Sequence, residues 1–161
     1  MGACLQRKKN YFMSRTYSSL LFHCVWSTKD RYPWLTDSID IRVYQYIGGI
    51  VKSEGGVLRS IGGMPDHIHV LFSLNPTINT SSLIGTVKKR STLFLRATDQ
   101  YLCNFAWQKG FSVFSVSHSV APIVQNYILK QKQHHEKLAF TDEYFKLLQK
   151  HDIVSDRDLS K

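Results

Sequence analysis

Apolar residues along the chain fall into short runs of aromatic and β-branched type, alternating with longer stretches where they recur every three or four positions. Tyr17 to Trp26 (Tyr-Ser-Ser-Leu-Leu-Phe-His-Cys-Val-Trp) is the first such run and is short enough for a strand. A charged loop follows with Lys29, Asp30, Arg31, Pro33 and Trp34. Thr36 or Asp37 then predicts the N-cap of a helix over about 37–54, with Ile39, Val43, Ile47, Ile50 and Val51 on one face and Gly55-Gly56 as its stop. A second strand is predicted over 57–61. Gly62-Gly63 with Pro65 and Asp66 reads as a turn, and His67 to Leu74 as a third strand closing a hairpin. Thr80 or Ser81 caps a helix over about 81–98. Phe111 to Ser117 is a fourth strand, Ser117 or Ser119 opens a helix over about 119–136, and a last helix spans about 142–150.

The predicted order is β-α-β-β-α-β followed by helices. This is an α+β, ferredoxin-like arrangement: an antiparallel four-stranded sheet with helices on one face, plus C-terminal helices. One domain over 17–153 is expected, between a basic N-terminal arm (1–16) and a polar tail (154–161). The fold alone assigns no function, because it hosts many.

Composition narrows the choice of partner. The 161 residues are 43% hydrophobic and 20% charged, which excludes disorder as the default state. Lys and Arg number 21 against 12 Asp and Glu, a net charge of +9, which favours a polyanionic partner. Nucleic acid ranks ahead of a membrane surface because no basic amphipathic helix stands out. No run of about 18 apolar residues predicts a membrane span. The arm lacks the apolar region of a secretory signal. Cys4, Cys24 and Cys103 are odd in number and lack C-x-x-C spacing, which argues against a disulfide framework or a cysteine zinc site and fits a reducing cytoplasm.

Three groups of residues carry candidate chemistry. His67-Ile68-His69 lies on the third strand, where alternate residues share a face, so both imidazoles project together while Ile68 enters the core. The pair is either half of a divalent-metal site or two polar residues on a solvated face. Tyr127 and Gln131 are four apart on the helix after the fourth strand and share one of its faces. A glutamine oxygen suits Mg²⁺ or Mn²⁺ and a phenol oxygen can be a nucleophile; a half-buried tyrosine beside a surface glutamine is the common alternative. Basic residues cluster at Lys88, Lys89 and Arg90, at Lys29 and Arg31, and at Lys130 and Lys132, with Trp26, Tyr32, Trp34, Phe105 and Trp107 interleaved. Such a set can contact phosphates and stack on unpaired bases, or be a solvated face. His134 and His135 are possible proton carriers but read, like His118, as solvated surface histidines, and His23 reads as packing on the first strand.

His23-Cys24-Val25-Trp26-Ser27-Thr28-Lys29, Met64-Pro65-Asp66-His67-Ile68-His69-Val70-Leu71, Trp107-Gln108-Lys109-Gly110-Phe111 through Ser117, and the Tyr127 helix together resemble HUH-type single-tyrosine transposases of bacterial insertion sequences and their domesticated relatives associated with repetitive extragenic palindromes. The likeness runs from about Tyr17 to Ile153. It implies the same ferredoxin-like fold, with His67, His69 and Gln131 holding one Mg²⁺ or Mn²⁺ and Tyr127 as nucleophile. It implies a DNA transposase that cleaves and rejoins single-stranded, hairpin-bearing element ends through a 5′-phosphotyrosine, with Lys29, Arg31, Lys88, Lys89, Arg90 and Lys130 as DNA contacts. It further implies a homodimer in which the tyrosine helix of one subunit completes the site of the other, no small-molecule cofactor, no membrane, and a place in the bacterial cytoplasm at the nucleoid. The competing readings are a noncatalytic single-stranded nucleic-acid module on the same fold, needing no metal, and a metal-dependent phosphodiesterase with a water nucleophile.

Overall fold

Alternation along two neighbouring strands sets the architecture. In the computed structural model, which describes residues 17–134 and 140–154 (the side chains of 133 and 134 excepted), β1 (Leu20–Ser27) pairs antiparallel with β3 (His67–Leu74), and His23 stands opposite Leu71. β2 (Val57–Met64) flanks β3 and β4 (Ser112–Val116) flanks β1, giving the order β2-β3-β1-β4 with every pairing antiparallel. This is the expected split βαβ sheet. The arm (1–16), Cys4, His135 and residues 155–161 of the tail lie outside the described residues, as does the side chain of His134.

One face is the core. Cys24 and Trp26 of β1 and Ile68, Val70, Phe72 and Leu74 of β3 pack beneath α1 (Asp37–Ser53) and α2 (Thr80–Thr98). These helices contribute Ile39, Val43, Ile47, Ile50 and Val51, and Leu83, Ile84, Val87 and Leu95. Their three- and four-residue spacing is what an amphipathic helix lays on a sheet. The other face, set by the intervening residues His23, Val25, His67 and His69, is covered by the short C-terminal helices α3 (Ala121–Leu129), α4 (Gln131–His134) and α5 (Phe140–Lys150).

Four expectations change. Gly62 and Gly63 are not a turn: they pair with His69 and Ile68, so β2 runs on to Met64 and the turn is Pro65-Asp66 alone. The cap of α2 is Asn79, whose side chain accepts from the Ser82 amide at 2.9 Å, rather than Thr80 or Ser81. The helix expected over 119–136 breaks at Lys130 (φ −96°, ψ 15°), dividing α3 from α4. Beyond the break, Lys132 donates to Asp37 (2.6 Å) and Asp40 (2.9 Å) in the first turn of α1, tying α4 to the other layer. Finally, Trp26, Phe105 and Trp107 are not available for stacking on bases. They are core residues, and the Trp107 indole donates to the buried Ser91 hydroxyl at 2.9 Å. Tyr32 remains half exposed and packs on Trp34.

Candidate active site on the second face of the sheet

β3 lies inside the sheet, so the side chains on its second face are walled by neighbours on both sides. His67 and His69 are both 0% exposed, with ring centroids 5.3 Å apart. Each ring is held through Nδ1. His67 Nδ1 donates to Asp66 Oδ1 at 2.7 Å, and His69 Nδ1 is 3.0 Å from His23 Nε2 on β1. Burial, reinforced by the nearby charges of His151 and Lys150, lowers the pKa of His23 to about 4, so it is neutral and able to accept that bond. A carboxylate and a neutral imidazole on the Nδ1 side leave both Nε2 atoms pointing the same way, the usual support behind a metal-binding histidine.

They point at Glu143, in the first turn of α5. Its Oε2 is 3.7 Å from His67 Nε2 and its Oε1 is 3.7 Å from His69 Nε2. Tyr127 of α3 donates its hydroxyl to Glu143 Oε1, and Gln131 Nε2 donates to the same oxygen at 2.9 Å. The Tyr127 ring meets that of His69 edge-on at 5.6 Å. Despite the break at Lys130, Tyr127 and Gln131 thus converge on one carboxylate. Burial, then the charge of Asp66, raises the Glu143 pKa to about 7. A positive charge beside it would relieve that cost.

The donor chemistry fits a divalent cation. The ligand atoms of His67, His69 and Glu143 lie within 4.8 Å of one another. Gln131 is 1% exposed, and its Oε1 has no hydrogen-bond partner among the described residues. Two imidazole nitrogens with carboxylate and amide oxygens, and no thiolate, make a mixed nitrogen and oxygen set of the kind that binds divalent metal ions.

The basic residues divide between the two layers. Lys29 and Arg31 stand in the loop after β1, where the Arg31 guanidinium donates to Thr141 at the start of α5 (3.0 Å). Lys130 is exposed at the α3–α4 break. Lys88, Lys89 and Arg90 lie on α2, across the sheet from the histidines. Of these, Lys88 is bound to the Lys109 and Gly110 carbonyls (3.3 and 2.8 Å), and burial lowers its pKa to about 8; Arg90 pairs with Glu54 at 3.6 Å.

Sequence reading missed three members of the site. Asp66 carried a local signal, an acid abutting the histidine pair. His23 carried only its alternation with Cys24. Glu143 carried none, because an acidic residue in the first turn is ordinary for a helix.

Gly62 sets the height of α3. A Cβ there would stand 2.4 Å from the Ile128 carbonyl oxygen, next in chain to Tyr127. Gly62→Ala therefore lifts α3 while leaving the α1/α2 core in place. We expect a cooperatively folded protein that has lost most of its activity, checked by denaturant unfolding alongside the assay below.

A split βαβ sheet that buries a His-x-His pair under a helix-borne tyrosine defines a DNA transposase of the single-tyrosine class. The chain belongs to the IS200-like transposase family, whose model matches residues 16–131. That membership places its activity in DNA transposition. The family is generally metal-dependent, and His67, His69 and Glu143 form a cluster that could bind the ion. Two solved structures share the fold. One is a candidate transposase from Deinococcus radiodurans R1, 23% identical over 73% of this chain and 95% of that one, with a TM-score of 0.58. The other is a REP-associated tyrosine transposase bound to a REP hairpin, 17% identical over 78% of this chain and 74% of that one, with a TM-score of 0.59. No curated protein matches the chain. Among the described residues no helix is long and apolar enough to cross a membrane.

Proposed function

We propose that this protein cleaves and rejoins single-stranded DNA at hairpin-bearing ends, with Tyr127 as nucleophile. The observation that carries the reading is the convergence of the Tyr127 hydroxyl, the Gln131 amide and both histidine Nε2 atoms on Glu143. His67, His69 and Gln131 would hold the ion, with Glu143 as a further oxygen donor. A divalent cation bound there supplies Lewis-acid stabilisation of charge on the scissile phosphate, worth several kcal/mol. Asp66 and His23 keep the two imidazoles oriented. Glu143 orients the phenol and takes up its proton as the tyrosine oxygen bonds to phosphorus. The bond from phosphorus to the 3′-oxygen breaks, leaving a 5′-phosphotyrosine and a 3′-hydroxyl that draws its proton from solvent. Attack by a second 3′-hydroxyl reverses the step and frees Tyr127 without ATP, because the phosphotyrosine keeps the energy of the original ester.

Lys29, Arg31 and Lys130 are the proposed phosphate contacts of the strand near the site. Lys88, Lys89 and Arg90 form a second basic surface suited to a hairpin stem, the ligand of the solved REP-associated relative. Replacing Lys29 and Lys130 together by alanine should reduce the salt dependence of single-strand binding by about 1.4 in log–log slope, at about 0.7 per phosphate contact. Fluorescence anisotropy across a salt series reads this directly.

The resemblance implies a homodimer in which the tyrosine helix of one subunit completes the site of the other, and the contact of Tyr127 with His69 is the one such a partner would supply. Sedimentation of the DNA complex distinguishes one chain per site from two.

The direct test mixes the protein with labelled single strands from the flanks of its own gene, with Mn²⁺ or with EDTA, on a denaturing gel. A metal-dependent covalent adduct is the expected result. Hairpin binding with no adduct would instead establish a noncatalytic binding module.

A further inference from the structure

Beside Tyr127 the second face is not fully covered. A cavity of about 650 Å³ opens between α3 and α5 over the β4 edge of the sheet. Ile123 and Val124 of α3, with Val120 just before its first turn, form one wall and Leu147 stands opposite on α5; Tyr127 and Glu143 close the inner end. Lys146 and Lys150 line the α5 side. The volume is that of a small-molecule pocket and too small for a duplex. Ile123 is 67% exposed and Val120 is 38% exposed, an apolar wall left to solvent beside the candidate nucleophile.

We infer that this cleft is a nucleoside pocket, which receives the unpaired base and sugar adjoining the phosphate that Tyr127 attacks. The inference rests on the strand-transfer reading above and adds where the neighbouring nucleotide lies. The chemistry matches along the length of the cleft. A base is flat and uncharged and suits the apolar walls. The next phosphate along the strand is anionic and meets Lys146 and Lys150. The scissile phosphate belongs at the inner end, beside Tyr127 and the proposed cation site that offsets the Glu143 charge, and the base belongs between the apolar helix walls. A strand whose phosphorus reaches the Tyr127 oxygen must place an adjoining nucleotide nearby, and the cleft opens from that residue. The exposed Ser115 and Ser117 hydroxyls of the floor supply polar groups for a base edge.

The test uses the full chain with Tyr127→Phe, which keeps the ring and removes the attack. The probes are single-stranded oligonucleotides spanning the adduct position mapped with the wild-type protein, each with 2-aminopurine at one position. One position next to the cleavage point should brighten severalfold on binding, as its base leaves the stack. Ile123→Asp, at an exposed position the fold tolerates, should abolish that rise and weaken binding about tenfold, the loss expected for one base contact. An abasic residue at the same position should cost the native chain as much, and the Ile123→Asp chain nothing further. If wild type forms the adduct, yet no position brightens and Ile123→Asp binds normally, the pocket assignment is overturned. If Ile123→Asp changes the sedimentation of the free protein but not DNA binding, the cleft is a contact between copies and the assignment also falls. If no oligonucleotide yields an adduct, the strand-transfer reading fails first and carries the pocket with it.

Discussion

Tyr127→Phe removes one oxygen atom and, on the proposed mechanism, should abolish covalent attachment to DNA. The phenyl ring keeps its edge-on contact with His69, at 5.6 Å between centroids in the native chain, so α3 has no steric reason to move. Glu143 loses one hydrogen bond and keeps that from Gln131 at 2.9 Å. A hydrogen bond to a charged group contributes about 1.5–3 kcal/mol, less where water can replace it, so the variant should unfold at a modestly altered denaturant midpoint. The effect on chemistry is of another order. Loss of a nucleophile from a concerted set lowers turnover by about a thousandfold or more. The adduct band should vanish on a denaturing gel while oligonucleotide affinity, measured on the same preparation, stays within about twofold of wild type. An undiminished adduct in the Phe chain would remove Tyr127 from the reaction and turn attention to another nucleophile.

The second large effect is expected at the histidine pair. His67→Ala or His69→Ala deletes a nitrogen donor from a group whose ligand atoms lie within 4.8 Å of one another. The remaining imidazole and oxygens form too small a set to grip a hard cation against water. We expect Mn²⁺ binding, followed by electron paramagnetic resonance or calorimetry without DNA, to fall below detection, and cleavage to fall with it. Asp66→Asn and His23→Gln should behave differently. Each leaves both Nε2 atoms present but loosens one ring, and loss of such a supporting partner costs about 10- to 100-fold in metal affinity. A graded series, with the ligand variants losing binding entirely and the supporting variants losing it in part, separates holding the ion from aiming the ligands. Unchanged Mn²⁺ affinity in His67→Ala would place the ion elsewhere.

The elements were legible where local pattern dominates. The periodicity of Ile39, Val43, Ile47 and Val51 and the alternation through His67, Ile68 and His69 are short-range signals, and the sheet order follows from the split βαβ connection they define. Strand β2 was misread at Gly62-Gly63 because glycine pairs normally mark turns. Here they are small because of a helix backbone over Gly62 and the adjacent strand at Gly63, a tertiary demand invisible in local sequence. The helix break at Lys130 has no glycine or proline to announce it, and the contacts that follow it, from Lys132 to Asp37 and Asp40, join residues far apart in the chain. Trp26, Phe105 and Trp107 read as interleaved with the basic residues, but nearness in sequence to lysines does not set burial, and all three are taken into the core. Glu143 joins the site through the packing of α5 alone, and no spacing rule links it to His67.

The sheet with two unlike faces bears on the history of this gene. The residues that make the protein fold, between the sheet and α1 and α2, are not those that meet at Glu143. A lineage can therefore lose Tyr127 or Gln131 by drift without losing a folded product, and the basic surface of α2 is inherited intact. If the proposed hairpin contact is made by that surface, selection can keep such a descendant for binding alone.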